Sequence, residues 1–174
     1  EQAREKGIWF HTDAVQAVGK VPIDVKAAGV DMLSLSGHKI HAPKGIGALY
    51  VRKEIKFSPF LIGGHQEKGR RGGTENTPSI IALGKACELA KVHLPLMGTQ
   101  VREIRDYLET QLLGDIPGTS VNGDRENRLP NTLSMGFDAV EGESILMLMN
   151  QAGICASSGS ACTSGSLDPS HVLM

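Results

Sequence analysis

Three residues of this chain combine useful chemistry with an unusual setting: Asp13, Lys39 and Cys162. Cys162 lies in Ser157-Ser158-Gly159-Ser160-Ala161-Cys162-Thr163-Ser164-Gly165-Ser166, where no apolar neighbour is larger than Ala161. A structural cysteine is ordinarily a small buried hydrophobe, and this stretch has nothing from which to build a core. Glycine and small hydroxyl residues instead make an open, polar tether suited to a thiolate that must travel. Taken alone, the loop would serve an unremarkable cysteine equally well.

Lys39 follows Ser36-Gly37-His38 directly after the apolar run Met32–Leu35. Most lysines are solvated surface charges. Here a strand delivers the amine to a loop, and the small residues before it leave room for a ligand. A desolvated lysine can form a Schiff base with an aldehyde. Pyridoxal phosphate chemistry needs such a lysine and an acid that keeps the pyridine nitrogen protonated. Asp13, at the end of another apolar run, could be that acid, with Gln16 one helical turn on; it could as well cap a helix. Residues 63–76, rich in glycine and containing Arg70 and Arg71, offer backbone amides and charge to an anion, or form a solvated loop.

Elements that would position these groups alternate between strand and helix. Residues 8–12 read as a buried strand, 14–18 as a short helix ending at Gly19, and 22–28 as a turn closed by Gly29. Residues 31–36 and 46–51 read as strands. Thr77-Pro78 should cap a long helix to about Leu96, followed by a helix over 100–113. Beyond the turn at Asn122-Gly123, a strand through Leu133, Met135 and Phe137, a helix over 143–152 and a short strand over 154–156 are expected. The fold class is α/β, and its ligands should gather where strands end. Asp13 and Ser36–Lys39 would then share one rim of the sheet. The pattern changes near 95, which suggests domains over 1–95 and 96–174. Cys87, on a helix, and Cys155, in the last strand, are expected in the core.

At 40% apolar and 21% charged residues, the 174-residue chain has an ordinary globular composition. A net charge of −1 gives no broad electrostatic case for nucleic acid or an anionic membrane. Three cysteines fit neither a disulfide framework nor a zinc pattern, and the histidines have no ligand spacing, so no metal is assigned. A reducing, cytoplasmic location follows. Both ends read as cut within a helix, so the chain is expected to be an internal fragment.

In order, Phe10-His11-Thr12-Asp13-Ala14-Val15-Gln16-Ala17-Val18-Gly19-Lys20, Ser34-Leu35-Ser36-Gly37-His38-Lys39, Pro43-Lys44-Gly45-Ile46-Gly47, Arg71-Gly72-Gly73-Thr74 and Ser157–Ser166 with Leu167-Asp168-Pro169-Ser170 resemble a cysteine desulfurase of the class-V aminotransferase type. The wording of 122–134 resembles the nitrogenase-associated members. The resemblance implies a fold-type-I pyridoxal phosphate transferase: a large domain with a mainly parallel sheet, plus a small α+β C-terminal domain. It implies that Lys39 holds pyridoxal 5'-phosphate, Asp13 pairs with its ring nitrogen and Gln16 contacts its ring hydroxyl. Ser36 and His38 would bind the phosphate side, and Thr74 would reach the cofactor of the partner in a homodimer. Lys39, His38 and Cys162 would be the catalytic groups. Cys162 would take sulfur from L-cysteine as a persulfide, release L-alanine and pass the sulfur to an iron–sulfur scaffold protein. A full-length member also has an upstream phosphate-binding turn, a ring-stacking histidine and a downstream carboxylate-binding arginine. An aminotransferase, a selenocysteine lyase and a non-catalytic fragment that docks a sulfur acceptor are the alternatives.

Overall fold

The computed structural model describes residues 2–159. Cys162 and the second half of its loop lie outside them. Two compact units are present: one runs to Arg102 and includes Leu129–Asn131, and the other comprises Glu103–Arg128 and the chain from Thr132.

The first unit opens with a single turn of helix, α1 (Gln2–Glu5), and is built on a three-stranded sheet of order β1-β2-β3. β1 (His11–Asp13) and β2 (Met32–Ser36) are parallel, with Asp13 opposite Ser34. β3 (Gly47–Val51) is antiparallel to β2. The parallel arrangement expected for the sheet thus holds for the first pair only. A parallel crossover needs about a dozen or more residues, and the link from Ser36 to Gly47 is too short. β1 is also shorter than the strand expected over 8–12, and Ile8, Trp9 and Phe10 are exposed rather than buried. Only the backbone of Phe10 joins the sheet edge, accepting from the N–H groups of Asp31 and Met32.

Residues 14–18 close one helical turn, with Val18 N–H donating to Ala14 O at 3.0 Å, and then stop at Gly19 with φ 77°. One turn fixes several dihedrals for little hydrogen bonding, and a left-handed glycine prevents it from growing. A 3-10 turn over Gly37–Ile40 follows β2 and ends at His41, itself left-handed at φ 68°. Ile40 and Ala42 form the core with Ala86 of α3 (Thr77–Leu96), packed by Val18, Ile46, Leu83 and Ala90. Gly19 makes this possible, because a side chain there would meet Ile40 Cγ2 at 2.9 Å.

The N-cap of α3 is Asn76, whose Oδ1 accepts from Ser79 N–H, one residue before the expected Thr77. Pro95 lies within the helix and has no N–H to donate, and the backbone re-registers as a π turn over Met97–Val101. Cys87 is exposed, contrary to expectation. Leu83, Ala86 and Ala90 supply the face toward the core, and Cys87 is turned about 100° from Ala86. The loop 63–76 holds only the distorted turn α2 (Gln66–Gly69), in which Glu67 and Lys68 are left-handed. Gly72 N–H donates to Leu61 O at 2.8 Å and pinches the loop shut against Gly63.

The second unit contains α4 (Arg102–Asp115, from its second residue), β4 (Thr119–Val121) paired antiparallel with β5 (Met135–Phe137), and α5 (Gly142–Gln151). Gly153 ends α5 at φ 75°, as expected. Residues 154–156 form no strand, because no neighbouring backbone among the described residues pairs with them; Cys155 is exposed as a result. Glu109 of α4 is 3% exposed and takes Arg125 and Arg128 on its two oxygens.

Candidate functional site

Because β1 and β2 run parallel, their C-terminal ends open on one rim. Asp13 is the last residue of β1 and Ser36 the last of β2, and the turn bearing His38 and Lys39 begins immediately after Ser36. Side chains alternate across a sheet, so His11, Asp13, Ser34 and Ser36 share one face, while Thr12, Leu33 and Leu35 share the other. Met32 and the β3 residues Leu49 and Val51 complete the first face away from the rim.

Local hydrogen bonds fix these groups. Asp13 Oδ1 accepts from Val15 N–H at 2.8 Å, so the capping role is real. Its Oδ2 has no hydrogen-bond partner among the described residues. Ser36 Oγ and His38 Nδ1 lie 2.8 Å apart. His38 is exposed and Lys39 half-buried, while Ile40 anchors their turn in the core. Gly37 is required at the start of this turn: its N–H donates to Ile46 O at 2.8 Å, and the Ile46 side chain leaves no room for a Cβ.

Four of the residues singled out in the sequence, Asp13, Ser36, His38 and Lys39, therefore meet at one rim. Gln16 is exposed in the turn that leaves it. Thr74 is exposed in the loop 63–76, and no hydrogen bond among the described residues ties it to the rim. In that loop the Arg70 guanidinium sits 5.8 Å from the centre of the Phe57 ring, an aromatic partner the sequence did not suggest.

Three further polar residues of this unit escaped sequence reasoning. His11 Nε2 lies 2.7 Å from Ser34 Oγ across the strand pair, which alternation along His11-Thr12-Asp13 could have signalled. Lys20 has its pKa lowered, first by burial and then by the charge of Lys39. Asp31, 6% exposed, accepts Phe10 N–H at 2.8 Å on Oδ2 and pairs with Arg52 at 2.8 Å through Oδ1. It joins the starts of β1 and β2 to the end of β3. The rim thus carries a carboxylate at the end of β1 and a hydroxyl, an imidazole and an amine at and just beyond the end of β2.

The family model for the class-V aminotransferases matches residues 1–174. The chain belongs to that family. Its members are pyridoxal phosphate enzymes of fold type I, a mixed α/β architecture, and the sheet and helices described above are part of it. The chain is 63% identical over 171 residues to a cysteine desulfurase of Gluconacetobacter diazotrophicus, covering 98% of this chain and 43% of that protein. It is 60% identical over 173 residues to a cysteine desulfurase of Nostoc sp. (strain PCC 7120), covering 99% of this chain and 43% of that one. A NifS-like protein from Rickettsia africae, solved by X-ray crystallography, superposes with a TM-score of 0.82 at 32% identity, over 91% of this chain and 44% of that structure. The chain therefore spans a little under half the length of the relatives it matches. Among the described residues, no helix is long and apolar enough to cross a membrane.

Proposed function

We propose that the protein containing this chain is a cysteine desulfurase that takes sulfur from L-cysteine and supplies it to an iron–sulfur scaffold protein. The observation that carries this is the common rim of Asp13 and Lys39, with Ser36 and His38 between them in sequence and Asp13 Oδ2 open to a ligand. The identity to curated cysteine desulfurases supports it. Pyridoxal phosphate, when bound, supplies an electron sink that activates the amino acid.

On this proposal Lys39 holds the cofactor covalently through its amine, and Asp13 holds a proton on the ring nitrogen. Gln16 contacts the ring hydroxyl, and Ser36 and His38 bind on the phosphate side. Thr74 reaches the partner subunit's cofactor in a homodimer. Cys162 Sγ attacks the substrate sulfur: the carbon–sulfur bond of cysteine breaks, a sulfur–sulfur bond forms on the enzyme, and alanine leaves. L-cysteine and the enzyme thiol thus become L-alanine and the enzyme persulfide, in balance. Residues 1–95 would belong to a large cofactor-binding domain and 96–174 to a small C-terminal domain, in a cytoplasmic enzyme akin to the nitrogenase-associated group.

The test is alanine release from L-cysteine by the full-length protein. Cys162→Ser should abolish it, and Lys39→Ala should remove the visible absorbance of bound pyridoxal phosphate. Cysteine turnover retained in Cys162→Ser would overturn the proposal in favour of an aminotransferase-like activity that has no use for the thiol.

A further inference from the structure

The geometry points to His11 as a positioning residue for Asp13, acting through Ser34. His11 and Asp13 are two residues apart on β1 and share the face that opens on the rim. Ser34 stands opposite Asp13 on β2 and grips β1 on both sides of it. Ahead of Asp13, the Ser34 hydroxyl meets His11 Nε2 at 2.7 Å; behind it, the Ser34 carbonyl accepts from Ala14 N–H at 3.0 Å. The acid is thus mounted between two fixed points, and Val15 N–H holds one of its oxygens.

The His11 side chain is exposed and stands opposite Met32, itself only half-buried, so packing accounts for little of its placement. β1 is three residues long, and β2 is its only strand partner among the described residues, so few backbone bonds hold it. A carboxylate that pairs with a ring nitrogen must be held within about 0.5 Å of its working position. A side-chain bridge across the strand pair, on the face of the acid itself, supplies that restraint. This inference rests on the proposed role of Asp13 and extends it by one residue.

The test is titration of the cofactor-free, full-length protein with pyridoxal phosphate, reading visible absorbance, for wild type, His11→Leu, Ser34→Ala, the double variant and His11→Gln. His11→Leu and Ser34→Ala should each weaken binding about five- to tenfold, the loss expected for one hydrogen bond. Each should also displace the absorbance maximum, while the cofactor-free melting temperature stays at the wild-type value. The double variant should do no worse than either single one, because the pair acts as a unit. His11→Gln, whose amide can reach Ser34, should recover wild-type behaviour. Wild-type affinity and spectrum in His11→Leu would overturn the inference and leave the proposed function standing. So would additive losses, or equal losses in the leucine and glutamine variants accompanied by a lower melting temperature. A wild-type protein without visible absorbance would overturn the proposed function and this inference with it.

Discussion

Gly37 donates its N–H to the carbonyl of Ile46 at 2.8 Å, and a Cβ on Gly37 would fall 2.8 Å from Ile46 Cγ2 and 2.9 Å from that carbonyl oxygen. The turn that presents Lys39 therefore begins at a position with no spare volume. Gly37→Ala should cost about 1–3 kcal/mol, as overpacking does, and should loosen cofactor binding because the turn must move. Gly84, inside α3 with nothing within 4 Å, is the contrasting site. Gly84→Ala should stabilise by about 0.5–1 kcal/mol through helix propensity alone. Urea denaturation of the two variants checks both signs.

Glu109 anchors α4 to the segment that precedes β5. Burial is the strongest single influence on its carboxyl and acts to raise the pKa, but hydrogen bonds and charge from Arg128 and Arg125 together hold it below the ordinary value. A depressed carboxyl contributes stability that is complete above its unfolded pKa and is lost as pH falls through the folded one. Glu109→Gln should cost about 3 kcal/mol near neutrality, since it removes the nearest charge partner of the largely buried Arg128 and leaves it the more distant Asp106. The gap from wild type should narrow on acidification below the ordinary carboxylate range. Chemical denaturation across a pH series measures the gap; one that widened toward acid would contradict the assignment.

Asp31 binds the Phe10 N–H with one oxygen and Arg52 with the other. Asp31→Ala should destabilise the first unit by about 2–3 kcal/mol, the scale of hydrogen bonds to a buried charge. Amide exchange at Phe10, His11 and Met32 should accelerate in the variant. Protection left at wild-type level would show that the strand starts are held by other means.

Lys20 feels the charge of Lys39, although burial is the larger cause of its lowered pKa. Lys39→Ala removes that charge and should let the Lys20 pKa rise part of the way toward its ordinary value. Titration of isotopically methylated lysines by NMR reads the change directly. A fall, or no movement, would separate the two ammonium groups.

Much of the rim was legible because strands ending in small polar residues announce where a sheet stops. β2, β3, α3 and α5 follow from apolar runs bounded by glycine or by Pro78. Asp13 and Ser36–Lys39 follow from those ends. What was not legible depends on partners that sequence does not supply. Residues 154–156 have strand composition but no neighbour to pair with, whereas polar Thr119–Val121 became a strand because Met135–Phe137 met it. The exposure of Cys87 turned on which side of a helix with apolar residues on several faces met the core. The bond between His11 and Ser34 spans residues whose proximity only the pairing of β1 with β2 creates.

That pairing also determines which chemistry the sheet displays. A slip of β2 by one position against β1 would swap Ser34 and Ser36 for Leu33 and Leu35, turning the hydrophilic end of this face greasy without removing a single strand. Asp31, gripping both neighbours just ahead of β2, locks the phase. Damage to that lock should blunt the proposed activity while leaving circular dichroism almost untouched.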